Sequence, residues 1–468
     1  MRLWKTSASL AVIAGLTGGL MMTAGTPASA MSLEEAAQLA VATNPQMMAA
    51  QENRRAQEYE LKQGRGLYWP SLDLSAGMGW EWTDNTTLNR QNLKRKEFQA
   101  SLSQLLFDGF AREAKIEQRA ARLDAAALRV QERADFLALD ATEVYLDVLR
   151  NQDLVELAQD NVAVHEQTLD QVQERVDAGQ TGVGDAQQAL SRLAAARDAL
   201  IEAERDLNDA KARFIRVVGA EPEELVAAPD LADQLPDSVG EAVSTAVKDS
   251  PTVAASAAEL DEAIAVHREA AGNYYPTFTL DAQTTRNHNI DGVHGKNHDI
   301  SVMLNMTWNV FRGFIDTNRR TELAHRIGEA RAVTMDQERA AAEETRVSWN
   351  AFEMALRRVE ALNEQVISNS QVVQTYRQEF DIGQRDLLDL LDGENELFLS
   401  RTNLISSEYV AQFAAFRVLA TTGQLAEIMN LDIPAEGATG ARQDAGVTPN
   451  YQPGEAVSAD AEMEMSTN

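Results

Sequence analysis

Two stretches of nearly seventy residues, 111–178 and 316–382, contain no proline, and their only glycine is Gly328. Unbroken runs of this kind form continuous helix, and at ~1.5 Å per residue each reaches roughly 100 Å, beyond what a globular core covers. Apolar residues recur every seven positions in both: Val148, Val155, Val162, Leu169 and Val176, then Phe352, Val359, Val366, Val373 and Phe380. The segments that follow carry their own rows, Ala186, Leu193, Leu200, Leu207 and Phe214 beside Leu390, Leu397, Leu404, Ala411 and Val418. Sustained heptads predict paired coiled-coil helices. A second row in the first long helix, Asn151, Ala158, His165 and Val172, is less apolar and loosens a simple two-stranded reading; His165 is expected to be a satisfied polar group in the core.

The rows shift by a constant because the chain is written twice. Ser32, Glu35, Pro45, Gly66, Tyr68 and Pro70 recur 206 positions later as Ser238, Glu241, Pro251, Gly272, Tyr274 and Pro276. Phe107, Gly109, Phe110, Gly179 and Gly219 recur 204 positions later as Phe311, Gly313, Phe314, Gly383 and Gly423. Each half opens with a helix broken at Asn44-Pro45 or Ser250-Pro251, then passes through Tyr-Trp-Pro or Tyr-Tyr-Pro into extended chain. Strands are predicted over 71–83, 97–107, 277–285 and 299–310, with apolar and polar residues alternating. Strands of about ten residues flanked by aromatics suit a membrane barrel, and the same period suits a half-buried soluble sheet. The resulting fold class is mainly α with a transmembrane β part and two internal repeats. The domains are a first repeat at 31–219, a connection at 220–237, a second repeat at 238–428 and a disordered acidic tail at 429–468.

Residues 1–30 read as a secretory signal, with Arg2 and Lys5 before an apolar segment and Ala28-Ser29-Ala30 as the cleavage site. Removing it takes the net charge from −30 to −32 by loss of those two cations. There is no cysteine for a lipid anchor or a disulfide. No later run is long and apolar enough for a transmembrane helix, so a membrane crossing has to use strands. The acidity excludes nucleic acid and polybasic lipid binding. Four strands cannot close a barrel, whereas symmetric copies can: three chains supply twelve strands and no edge, continuous with a helical tube.

The order of these features resembles the TolC family of outer-membrane channels over about Ser32 to Leu425. The motifs are Tyr-Tyr-Pro before a strand, Leu-Phe-Asp-Gly-Phe and Val-Phe-Arg-Gly-Phe at strand-to-helix junctions, and Gly-Gln-Arg-Asp-Leu-Leu-Asp-Leu-Leu-Asp at a hairpin. The resemblance implies a homotrimer with a twelve-stranded β-barrel, four strands per chain, on a periplasmic α-helical barrel in the outer membrane. Its partners would be a periplasmic adaptor (membrane fusion) protein, an inner-membrane transporter of ABC or RND type, and outer-membrane lipid. Family junctions often carry Gly-Gly; here Gly109-Phe110 and Gly313-Phe314 stand instead, a departure expected to affect local packing only.

The hairpin at 380–392 concentrates acid, and Asp389, Asp392 and Glu396 share one helix face. The resemblance makes Asp389 and Asp392 two constricting acidic rings at the periplasmic entrance and pairs Arg385 with Asp185 of the other hairpin as a latch. Phe380 replaces a tyrosine of the family latch and cannot donate a hydrogen bond. Gly179, Gly182, Gly184 and Gly383 are the expected turn residues. Like charges in a partly dewatered ring repel and attract cations; on a free hairpin the same acids are merely solvated.

Trp80, Trp82 and Trp308 are expected as interfacial anchors, the alternative being core aromatics. His288, His294 and His298 have spacings that could suit a metal, but their surroundings read as a polar extracellular turn, so no metal or cofactor is expected. No nucleophile, base or phosphate loop suggests an enzyme. The expected function is a passive exit duct. Asp389 to Phe398 looks like members serving type I protein secretion, with multidrug or metal efflux as the alternative. A secreted coiled-coil scaffold or adhesin without a pore is the reading from another class.

Overall fold

The structure is a computed structural model that describes residues 30–451 apart from 85 and 87–89. The signal segment and the end of the tail therefore lie outside the described residues. The first half contains α1 (Leu33–Thr43), α2 (Pro45–Gly66), β1 (Ser71–Thr83), β2 (Gln91–Phe107), α3 (Ala111–Asp177) and α4 (Val183–Val218). The second contains α5 (Val239–Asp249), α6 (Pro251–Ala271), β3 (Thr277–His288), β4 (Lys296–Thr307), α7 (Ile315–Asp381) and α8 (Leu387–Thr421), in the same order. Among the described residues no helix is long and apolar enough to cross a membrane.

Helix starts follow local chemistry. Ser32 caps α1 in a capping box. Its hydroxyl accepts from the Glu35 amide at 3.2 Å, while its own amide donates to the Glu35 carboxylate at 3.0 Å. Asn44 is extended, as a residue before proline must be, and its side chain caps α2. Ser238 repeats the cap on α5.

The strands form one antiparallel sheet in the order β1-β2-β3-β4. β2 begins at Gln91, earlier than expected, because residues 91–97 pair with the far end of β1. β4 runs from Lys296 to Thr307 instead of 299–310, since Thr307 pairs with Thr277 and the next residue of β3's side is Pro276, which has no N–H for the ladder. Trp308 thus falls just past the strand, its indole donating to the Tyr274 carbonyl at 3.2 Å. Even-numbered positions carry the apolar series Leu72, Leu74, Met78, Trp80, Ile300, Val302 and Leu304, all exposed. Odd positions carry the polar one, where Asp281 accepts from Ser103 and Asn305.

α3 and α4 pair as antiparallel neighbours, as do α7 and α8, and α6 lies against both α3 and α7. The main core gathers α1, the middle of α3, the end of α4 and the end of α8 around Tyr145, Phe214 and Phe416. The fully buried Tyr145 places its hydroxyl 2.6 Å from the Val226 carbonyl and 2.8 Å from that of Met31, tying down the connection between the halves.

The structure ranks the two heptad rows of α3 and corrects two expectations here. The most buried row on α3 is Asn151, Ala158, His165 and Val172, while Val155, Val162 and Leu169 are half-buried. Asn151 can face inward because its amide donates back to the Asp147 carbonyl at 2.6 Å. His165 is buried but Nδ1 has no partner, so it is not a satisfied group; burial, then the nearby Arg192 charge, hold its pKa below the ordinary histidine value. The tail at 429–451 is ordered. It crosses α3 and α6 through a short helix at Ala441–Asp444, with Arg442 pinned between buried Asp124 at 3.1 Å and buried Asp261 at 2.8 Å. The amides of Gly440, Ala441 and Arg442 also donate to Asp124.

Candidate functional site

Both long helices end in the same turn. After α3, the Gln180 amide donates to the Arg175 carbonyl at 2.8 Å and the Gly179 amide to Val176 at 2.9 Å. After α7, Gln384 donates to Glu379 at 2.8 Å and Gly383 to Phe380 at 3.0 Å. This is the Schellman closure, and Gly179 and Gly383 adopt the left-handed conformation that it requires, at φ +71° and +75°. Gly182 is extended and caps α4, and Gly184 lies inside α4 with open space around it, so neither is demanded by the backbone.

The two turns bring the hairpins together at one end of the molecule. Val172, Ala186 and Ala189 of the first pack with Phe380, Leu387, Leu390 and Leu391 of the second in a small separate core. Phe380 is buried there, as a packing group. Asp389 and Asp392 project away from this core and are exposed on one face of α8 with Glu396.

The expected pair between Arg385 and Asp185 is not formed within the chain. Arg385 is held by its own hairpin, 2.8 Å from Glu379 and 3.1 Å from Asp389, with its guanidinium 4.2 Å from the Tyr376 ring. Those bonds, to Glu379 first, raise its pKa. Asp185 is taken by the Thr181 hydroxyl. The groups nevertheless line one polar notch with Arg175, Asp381 and Asp386.

Two other arginines join the hairpins, and sequence reasoning missed both. Arg175 donates to the carbonyls of Phe380 at 2.9 Å and Asp381 at 3.2 Å and lies 4.2 Å over the Phe380 ring. A cation over an aromatic face that also caps the last carbonyls of α7 serves two attractions at once. Arg192 reaches Asp392 at 2.6 Å. A signal was present: Arg175 is the basic residue in the last turn of α3, whereas the counterpart in α7 is Glu379. The duplication breaks there.

Far from the hairpins, Trp80 and Trp82 lie exposed on the apolar face of β1. His288 and His298 stand on different cross-strand pairs, His288 opposite Lys296 and His298 opposite Arg286, and His294 is in the connecting loop. Among the described residues no three His, Cys, Asp or Glu side chains are grouped to hold a metal.

A family model described as outer membrane efflux protein matches residues 36–220 and again 242–424. The chain belongs to the outer membrane efflux protein family. It is similar to the outer membrane efflux protein BepC of Brucella suis, 24% identical over 430 residues that cover 90% of this chain and 91% of that protein. The alkaline protease secretion protein AprF of Pseudomonas aeruginosa is 25% identical, covering 84% and 85% respectively. The solved CmeC outer membrane channel of Campylobacter jejuni shares the fold at a TM-score of 0.74 with 13% identity, over 88% of this chain and 89% of that one. Like its family, this efflux protein resides in the outer membrane and extends into the periplasm; its members are channels.

Proposed function

We propose that this outer membrane efflux protein is the passive exit duct of a tripartite transport system, assembled from three copies and gated at the paired hairpins. One observation carries the reading. α6 lies between the two long helices α3 and α7, whereas among the described residues its counterpart α2 lies against α3 and the C-terminal tail but no second long helix, with Met48 and Tyr59 exposed along it. The repeat makes the missing neighbour an α7 from another copy. α7 has the complementary vacancy, exposing Val333, Val347, Met354, Leu356 and Ile367. The sheet repeats the situation, since β1 and β4 are unpaired edges that copies of the chain satisfy, and three copies give twelve strands.

In such a ring Asp389 and Asp392 of each copy converge at the periplasmic end. Repulsion between them favours opening, and the Arg175 clamp and the Arg192–Asp392 pair oppose it within each chain. An adaptor and an inner-membrane transporter of ABC or RND type would supply the opening force by binding the hairpins. Trp80, Trp82 and Trp308 then anchor the barrel in lipid. Type I protein secretion is the favoured cargo route because the second hairpin looks like secretion members; drug or metal efflux is the alternative.

Protein purified from outer membranes should run as an SDS-resistant trimer and conduct ions in planar bilayers, with conductance blocked by multivalent cations. Asp389→Ala with Asp392→Ala should weaken that block. A monomer confined to the soluble periplasmic fraction would instead support the scaffold or adhesin reading. Loss of a secreted protein, rather than drug or metal sensitivity, on gene deletion separates the cargo routes.

A further inference from the structure

The apolar face of the sheet changes chemistry along its length. In the ladder register Leu72, Leu102, Ala282 and Val302 form one row across the four strands, and Leu74, Ala100, Thr284 and Ile300 the next. Farther from the helices the rows become Ala76, Phe98, Arg286 and His298, then Met78, Lys96, His288 and Lys296, then Trp80 beside Lys94. Neighbouring strands lie ~5 Å apart, so Lys96 and Lys296 flank His288 at a separation of about 10 Å. All six basic side chains are exposed, and Lys94 Nζ lies 5.0 Å from the Trp80 ring. Among the described residues, Lys94, Lys96, Arg286 and Lys296 form no ion pair with a carboxylate.

The acids of the strands are sorted to the opposite face. Asp73, Glu81, Glu97, Asp281 and Asp299 all occupy odd positions, where Arg95 pairs with Glu81 at 2.8 Å. In a chain of net charge −30, cations are thus collected in cross-strand register on the one face without acid. Like charges set directly opposite repel, and a lysine or arginine bordering the hydrocarbon is costly unless its head reaches an anion. The strand ends bearing these residues point away from the periplasmic helices, toward the cell exterior, and Trp80 and Trp82 mark the same level as an interface.

We propose that Lys94, Lys96, Arg286 and Lys296, with His288 and His298, form a belt that binds the phosphate groups of phosphorylated lipid headgroups in the outer leaflet. The belt lies just beyond the apolar rows, at headgroup depth, and the long side chains carry their charge outward along apolar stems. Arg286 offers the planar fork that meets two phosphate oxygens at once. The assignment rests on the outer-membrane location and the sheet register, and is independent of the gate.

The test is titration of the delipidated, detergent-solubilised full-length protein with bisphosphoryl lipid A, read by native mass spectrometry. The Lys96→Gln, Arg286→Gln, Lys296→Gln variant should bind about tenfold or more weakly. Lipid A lacking both phosphates should bind the unaltered protein no better than the intact lipid binds that variant. Arg95→Gln, on the other face, should leave binding unchanged. Equal binding by the triple variant, or equal binding of the dephosphorylated lipid, overturns the proposal. Displacement of the lipid by millimolar inorganic phosphate also overturns it, by making the belt a free-anion site. Should the triple variant fail to fold, Lys96→Gln alone decides the matter: an about fivefold loss supports the belt and no loss overturns it.

Discussion

Gly109 and Gly313 occupy the same place in the two halves and have different surroundings. A methyl group at Gly109 would sit 2.7 Å from the Tyr275 Cβ, and one at Gly272 would sit 2.8 Å from the Ala111 Cβ. At Gly313 and at Gly66, the counterpart of Gly272, nothing among the described residues lies within 4 Å. The same sequence pattern on the same backbone is therefore closely packed where it joins the first half to the second, and open where the second half would meet a first. α3 and α7 differ in the same way. The upper part of α3 buries Ala120, Ala121, Ala127, Val130 and Ala134, whereas α7 buries only Leu323, Ile327 and Thr334 over the matching length. The open surfaces are copies of closed ones, so their chemistry already states what fits them.

The largest effect on assembly is expected at the open glycine. Gly272→Ala should lower the stability of the chain itself, by about 1–3 kcal/mol, because backbone and Ala111 crowd the added methyl. Gly66→Ala should leave the single chain folded, with unchanged circular dichroism, yet reduce SDS-resistant oligomer by about tenfold, since in the proposed assembly the same crowding would recur at every contact between copies. Normal oligomer yield from Gly66→Ala would break the comparison outright.

Next is the strap that closes the seam inside one chain. Arg442→Met leaves Asp124 and Asp261 with side chains 4% and 1% exposed and their shared cation gone. Breaking a buried pair from one side costs about 3–5 kcal/mol. Thermal unfolding in detergent should show that loss, and limited proteolysis should release the tail. A variant of unchanged stability and protease resistance would mean that the tail merely lies on α3 and α6.

At the tip, the comparison is between an arginine that crosses hairpins and one that does not. Arg175→Ala removes two charge-assisted bonds to α7 carbonyls and a cation–π contact. Together these are worth about 2 kcal/mol, so the variant should shift the opening equilibrium of the channel by about thirtyfold. Arg385→Ala removes contacts made within its own hairpin and should change the open probability far less. The reverse order in single-channel recordings would restore Arg385 as the latch, acting on a neighbouring copy.

Much of this architecture is legible in the residues, and the exceptions share a cause. The absence of breakers sets α3 and α7, proline sets the starts of α2 and α6, and glycine sets the hairpin turns, because these are backbone constraints acting within a few positions. Arg175, Arg192 and Arg442 escaped because each finds its partner hundreds of positions away on a different helix, and nothing periodic announces it. The tail resembles disorder in composition, yet two buried carboxylates on α3 and α6 hold it. Heptad counting finds both rows of α3 but does not rank them, because Asn151 faces inward by satisfying its amide on the preceding turn.

The smallest effect returns to the junctions. Phe110 and Phe314 both sit at φ +65°. That left-handed conformation costs a non-glycine residue about 1–2 kcal/mol. Phe110 is compensated by edge-on contact with Phe107 at 5.4 Å and with Tyr275 at 6.4 Å. Phe314 has Phe311 at 5.4 Å, while Trp69, which stands where Tyr275 stands in the repeat, is 78% exposed. Each aromatic contact is worth about 0.5–1.5 kcal/mol, so glycine at position 110 removes one more contact than glycine at 314 within a single chain. In the unassembled fraction of the Gly66→Ala background, Phe314→Gly should therefore leave a protein about 1 kcal/mol more stable than Phe110→Gly. In the assembled protein the difference should vanish, because in the proposed assembly Trp69 of a second copy would supply the missing aromatic contact. A difference that persists after assembly would show that the two junctions are alike in sequence only.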